Sequence, residues 1–299
     1  MNNLNYSHFE ATLDFKFKNA FKKHKLGKLE EARADYNFII QNSPSHYEAL
    51  NLLASTYMDE GKYQKSIKFL ENSILIKNDF FLAIYNLAIC YMKLNEYDKA
   101  IFNYKKCILL KPNNASLHAD IGLAFRKDKK LDEALKHYNI SISINPDVAR
   151  SQNNRGNVFV ELKEYEKAIV DFRKAIEIRS NFYQALSNLG NTYLKLNLIN
   201  KAKKEIQKSI SLNEFYSEAY INMGMAKILQ NKLDEAIVNF DKAISIDPDN
   251  PQYFLNKSML LLLKGDFKKG WELYEWRLKI EKNNRIIELD QNKKWDGNK

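Results

Sequence analysis

The stretch FLAIYNLAICYMKLNEYDKAIFNYKKCILLKPNN, residues 81–114, decides how this chain folds. Ile84, Leu87, Ala88 and Tyr91 stand at i, i+3, i+4 and i+7, the single apolar stripe of a half-buried helix. A second stripe runs through Tyr97, Ala100, Ile101, Tyr104, Cys107 and Ile108. Between the two stripes sits Asn95, a residue type that tolerates the left-handed backbone on which helices end. Pro112 closes the stretch, which therefore reads as two helices joined by a tight turn.

The same pattern repeats along the chain with a step of 34 and no break in register. A small residue recurs at Ala32, Ser66, Ala100, Ala134, Ala168, Ala202, Ala236 and Gly270. A second small column reads Ala20, Ala54, Ala88, Gly122, Gly156, Gly190, Gly224 and Ser258. A large column reads Tyr36, Leu70, Tyr104, Tyr138, Phe172, Ile206, Phe240 and Tyr274. Small columns let two helix backbones approach while large side chains fill the groove between them. The turn column reads Gly27, Gly61, Asn95, Lys129, Lys163, Asn197, Asn231 and Gly265, and Pro44, Pro112, Pro146 and Pro248 close several units. Periods of this length mark stacked repeats rather than a single globular core.

These columns resemble the tetratricopeptide repeat, with its two small positions, aromatics between them, terminal Pro and length of 34. The resemblance covers Leu13 to Asn284 and implies an all-α solenoid, a right-handed superhelix of eight helix pairs with a concave inner groove. It divides the chain into an N-terminal extension, 1–12, and eight units: 13–46, 47–80, 81–114, 115–148, 149–182, 183–216, 217–250 and 251–284. Residues 285–299 remain as a tail or linker. The expected count is sixteen helices of similar length. The first unit carries Lys16 and Lys23 where the core columns take apolar groups, which fits a solvated cap.

Composition agrees with a folded helical chain: 45% of residues are apolar, with only nine Gly and five Pro. The net charge of +10 raises nucleic acid or an anionic membrane as partners. Lys and Arg are, however, interspersed with Asp and Glu, and even the densest basic stretch, Phe15 to Lys28, reads as a solvated helix face. Neither nucleic acid nor a membrane is expected. The longest apolar run, Met259 to Leu263, is far below the roughly 20 residues a membrane span needs. No signal-peptide core precedes Gly27, and Cys90 and Cys107 form no CxxC, so a reducing, cytoplasmic setting is expected.

No enzymatic signature is present. GxGxxG, a Walker loop, HExxH and GxSxG are all missing, so no catalytic residue, metal site or cofactor is assigned. His8, His24, His46, His118 and His137 lack metal-ligand spacing and read as surface or groove residues. Cys90 and Cys107 fall in packing columns, where Cys acts as a small hydrophobe.

One polar column stands out. Two residues after Ile84, about 200° around the helix from the buried stripe, lie Lys18, Leu52, Asn86, Asp120, Asn154, Asn188, Asn222 and Asn256. Asn is a mediocre helix former, so a run of it calls for a reason. Each amide could pair with the backbone of an extended peptide. Alternatively the amides bond between neighbouring helices or face water. Asn157 and Asn191 widen the strip, and all eight of Asn86, Asp120, Asn154, Asn157, Asn188, Asn191, Asn222 and Asn256 are candidate peptide-binding residues. The column looks like the asparagine ladder in the repeats of O-linked N-acetylglucosamine transferases. The preceding column holds no Lys, so the carboxylate clamp of some tetratricopeptide co-chaperones does not carry over.

The last unit differs from the rest. Phe267, Gly270, Trp271, Tyr274 and Leu278 form the expected inward stripe, whereas Leu273 and Trp276 fall on the opposite side. Trp271 is therefore expected to be buried. Leu273 and Trp276 are expected to be exposed as a docking spot for a following domain or partner, unless Ile286, Ile287 and Leu289 fold back over them. Gly270 to Arg277, with Trp295-Asp296-Gly297, resembles the junction in bacterial proteins where such repeats lead into a glycosyltransferase-like domain. Two functions follow: an interaction scaffold binding extended peptide segments of partner proteins, or the substrate-recognition arm of a glycosyltransferase catalysing elsewhere.

Overall fold

The computed structural model describes residues 2–284 of the chain, with side chains from 10 to 280. Every element among the described residues is helical. Two compact units are present, Met1–Val158 and Phe159–Lys299.

The first unit holds α1 (Asn2–Lys25), α2 (Leu29–Asn42), α3 (Tyr47–Asp59), α4 (Tyr63–Ile76), α5 (Phe81–Lys93), α6 (Tyr97–Leu110), α7 (Ala115–Lys127), α8 (Leu131–Ile144) and most of α9 (Ala149–Glu161). Consecutive helices pack pairwise, as in α3 with α4 and α7 with α8. The second unit continues with α10 (Tyr165–Ile178), α11 (Tyr183–Lys195), α12 (Ile199–Leu212), α13 (Ser217–Leu229), α14 (Leu233–Ile246) and α15 (Pro251–Lys264). It ends with α16 (Phe267–Tyr274) and α17 (Arg277–Asn284).

The turn column does what its residues predict. All eight positions have positive φ, from 57° at Asn197 to 89° at Gly265. In each unit the residue after the turn donates its N–H back across the helix end: Lys62 to Tyr57 O at 2.8 Å, Lys130 to Phe125 O at 2.9 Å, Leu198 to Tyr193 O at 2.8 Å. This is the Schellman closure, and it satisfies carbonyls that the helix leaves open. Lys129 and Lys163 adopt the conformation without Gly or Asn, so the pairing of helices imposes it on them.

The small and large columns meet as expected. A Cβ at Gly122 would lie 2.8 Å from the Tyr138 ring, and one at Gly224 2.4 Å from Phe240. The aromatic ring occupies the room that the missing side chain leaves. Hydroxyls complete the core: Ser73 donates to Tyr47 O, Ser141 to Ala115 O and Ser209 to Tyr183 O, each at 2.7–2.8 Å. Cys107 stands in this same column, buried; burial pushes its thiol up to about 12. Burial also raises Cys90. Neither thiol is a ready nucleophile at neutral pH.

Both ends depart from the expected sixteen even helices. At the N-terminus α1 runs straight through the 12/13 boundary as one helix of 24 residues. Lys16 and Lys23 are not merely solvated. They hold the buried carboxylate of Asp35 on α2 at 3.3 and 2.6 Å, replacing apolar contact with ion pairs. At the C-terminus the last second helix breaks after Tyr274, and Glu275 and Trp276 form a turn before α17.

The structure overturns the expectation for both tryptophans, and the break accounts for Trp276. Trp271 is 57% exposed, not buried. Trp276 is half-buried, its indole stacked on Phe254 of α15 with centroids 3.8 Å apart and 3° between planes. Lys279 lies over the Trp276 ring at 3.5 Å. A helical wheel assumes 100° per residue without interruption. The turn at Glu275 rotates everything after it and carries Trp276 onto its own repeat. Leu273 is also half-buried, lining a groove of about 910 Å³ with Ile237, Asp241, Lys257 and Leu261. The tail residues Ile286, Ile287, Leu289 and Trp295 lie outside the described residues.

Candidate functional site

The polar column lies on successive first helices, on the side turned from the stripe packed against the second helices. In the first unit Asn86 donates from Nδ2 to Asn51 Oδ1 at 3.0 Å and approaches Ser55 Oγ at 3.5 Å. Asp120 accepts from Tyr85 Oη at 2.7 Å and from Arg150 Nη1 at 2.7 Å. Arg150 Nη2 also donates to Ser116 O at 3.3 Å. Asn154 Oδ1 accepts from the neighbouring Asn153 Nδ2 at 3.3 Å, and Asn157 is half-buried. In the second unit Asn222 Nδ2 donates to Ser187 Oγ at 2.9 Å, and Asn256 Oδ1 accepts from Gln252 Nε2 at 3.0 Å. Asn188 and Asn191 are half-buried.

A rule emerges from three of these contacts. Asn51–Asn86, Tyr85–Asp120 and Ser187–Asn222 are each 35 residues apart, one repeat plus one position. Each of these three reaches back to the repeat before it, so the inter-helix alternative holds for Asn86, Asp120 and Asn222. Nδ2 of Asn86 and of Asn222 is thereby engaged, whereas their Oδ1 atoms keep acceptor capacity. The sequence alone did not assign the partners Asn51, Tyr85, Ser187 and Arg150. A recurrent spacing of 35 between polar residues marks the first three, whereas Arg150, 30 residues from Asp120, carries no such signal.

The titratable groups elsewhere are structural. His46 caps α3, its Nδ1 accepting from Ala49 N at 3.2 Å, and His24 meets Asp59 at 2.8 Å. His118 and His137 correct the expectation of surface or groove histidines. They lie between α7 and α8 with Nδ1 atoms 3.1 Å apart, His118 buried and His137 half-buried. His118 Nε2 donates to Pro112 O at 3.0 Å, which leaves its Nδ1 as acceptor and requires His137 to donate from Nδ1. Burial, with His118 and nearby Lys136 and Lys105, lowers His137 to about 4.

A lowered histidine favours the neutral form in the folded state. Its contribution to stability is complete above pH ~6.5, the unfolded value, and is lost as pH falls towards the folded one. Acidification over that window should therefore remove on the order of 2 kcal/mol. His137→Asn, which copies Asn103 at the same position one repeat earlier, should flatten the profile in denaturant titrations between those pH values. Among the described residues no three His, Cys, Asp or Glu side chains gather as a metal site, and no helix is long and apolar enough to cross a membrane.

Comparison with known proteins agrees with the geometry. Profiles described as tetratricopeptide repeat match residues 25–79, 81–114, 183–216 and 217–250, and one described as TPR repeat matches 156–197. Together they span more than half of the chain. No curated protein matches it. Among solved structures, a tetratricopeptide repeat protein from Parabacteroides merdae aligns with a TM-score of 0.74 at 16% identity, covering 84% of this chain and 99% of that one. The APC/C hetero-tetramer Cut9–Hcn1 aligns at 0.67 and 16%, covering 81% and 48%. MamA aligns at 0.52 and 25%, covering 54% and 94%.

Proposed function

We propose that this chain, a tetratricopeptide-repeat protein, is an interaction scaffold whose polar column on the first helices receives extended peptide segments of partner proteins. The observation that carries this reading is the polar row itself. Asn86 in the first unit and Asn222 in the second are each tied back to the preceding repeat by Nδ2, and each unit also carries a half-buried Asn on the same strip, Asn157 and Asn191. An extended backbone supplies N–H and C=O groups at regular intervals, so it suits a row of amides and needs no particular side chain.

Asn157 and Asn191 separate ligand binding from inter-repeat bonding. A selection of displayed random peptides against the intact chain should yield binders. Asn157→Ala with Asn191→Ala should weaken them about tenfold, two hydrogen bonds at about 0.5–1.5 kcal/mol each. Helix propensity rises with both changes, so melting should hold or increase. Undiminished binding, or no peptide selected at all, rejects the reading. The alternative role as a glycosyltransferase arm leaned on Gly270 to Arg277 with Trp295-Asp296-Gly297, the latter outside the described residues. Trp276 is stacked within its own repeat, and no observation favours that alternative.

A further inference from the structure

The polar face changes character near its C-terminal end. On α11 the positions three and seven after the column are Asn191 and Lys195. The equivalent positions are Met225 and Leu229 on α13, then Met259 and Leu263 on α15. These four are 43%, 48%, 59% and 69% exposed. Ile221 and Leu255, half-buried one turn earlier, extend each stripe. From Leu255 to Leu263 the stripe is about 12 Å long, at 1.5 Å per residue, or roughly two helical turns. Isolated exposed apolar residues need no explanation, but two adjacent helices carrying the same stripe do. Methionine and leucine pairs at i, i+4 form the kind of adaptable surface that receives an amphipathic helix.

Charge narrows the occupant. Lys195 borders the stripe in the same column, exposed and without an ion pair among the described residues. The acid on this face of α13, Glu218, stands 11 residues from Leu229, about 16 Å away along the helix. The whole chain carries +10. We propose that α13 and α15 take an acidic amphipathic segment of a partner protein. Its aliphatic side chains lie on Met225, Leu229, Met259 and Leu263, and a carboxylate meets Lys195. This rests on the reading of the face as a peptide-binding surface and adds an apolar anchor to it.

The probe is a synthetic acidic helix with leucines at i, i+3, i+4 and i+7, compared with a scrambled peptide of the same composition. In the full chain labelled with ¹³C-methyl methionine, the amphipathic peptide should shift Met225 and Met259 while Met58 and Met92 stay in place. Met225→Lys with Met259→Lys should weaken binding at least tenfold, and Lys195→Glu should weaken it severalfold. Helical circular dichroism should be unchanged for these exposed positions, and Leu263→Ser offers a milder variant. Val238→Lys, at an exposed position on α14 outside both surfaces, should leave this probe unaffected. The displayed-peptide selection reports separately on the polar row, so failure of the anchor and failure of the row are distinguishable. Equal binding of the scrambled peptide, or no methyl shift, overturns the proposal. So does movement of the free Met225 and Met259 signals with protein concentration, which would make the occupant a second copy. Movement on Ile287→Asp with Leu289→Asp, without peptide, would assign the face to the chain's own tail and also overturn it.

Discussion

Replacing Phe240 with alanine should cost about 3–5 kcal/mol, the range for deleting a fully buried aromatic ring. Phe240 has no exposed surface and sits in a cluster with Ala236, Leu260, Ile221, Ile228, Leu233 and Ile237. Its ring presses on Gly224, where even a Cβ would come within 2.4 Å, so neighbouring helices cannot close over the lost volume without shifting. In a repeat protein each unit leans mainly on its neighbours, and the loss should stay local. Hydrogen exchange should show α13 to α15 losing protection while α3 to α6 keep theirs. A uniform loss throughout the chain would mean that the units do not act through nearest neighbours. Pairing Phe240→Leu with Gly224→Ala recreates the Ala54–Leu70 combination of the second repeat and should recover part of the stability that either change alone removes.

Asp120→Ala should cost about 2–3 kcal/mol, because it leaves two partners behind rather than one. The Tyr85 hydroxyl loses the acceptor held at 2.7 Å, and Arg150 keeps only its contact to the Ser116 carbonyl. The figure stays below that of a fully buried pair, since the Arg150 side chain is 46% exposed and water can reach it. Asp120→Asn retains an acceptor for Tyr85 and places the column's own amide there, so its cost should be nearer 1 kcal/mol. Denaturant midpoints of both variants test this. A cost below about 0.5 kcal/mol for the alanine variant would mean that the backward contact contributes nothing, well short of an ordinary hydrogen bond. Asp120 itself would then be free for ligands.

These two expectations draw on different amounts of sequence information. The Gly224–Phe240 contact was legible from the two columns, because their spacing within one unit fixes which positions face each other across a helix pair. The partners of Asp120 were not. They belong to a neighbouring repeat and to the first turn of the next helix, so they depend on the stagger between repeats. A periodic pattern states that repeats stack, but it does not state by how much one slides past another.

The sequence by itself determined the helix pairs and their turns between the two ends of the chain. Those follow from local causes: the 3.6-residue period of apolar side chains, and a turn position whose residues accept positive φ. Even Lys129 and Lys163 conformed, because the flanking stripes leave the turn no other geometry. Only the tertiary structure decided how the polar column divides its hydrogen bonds, how His118 and His137 meet, and which tryptophan faces water. The place of Trp276 depended on one turn at Glu275 and Trp276. A helical wheel cannot foresee it, since stacking on Phe254 rewards leaving the helix and that ring stands about twenty residues upstream, on α15.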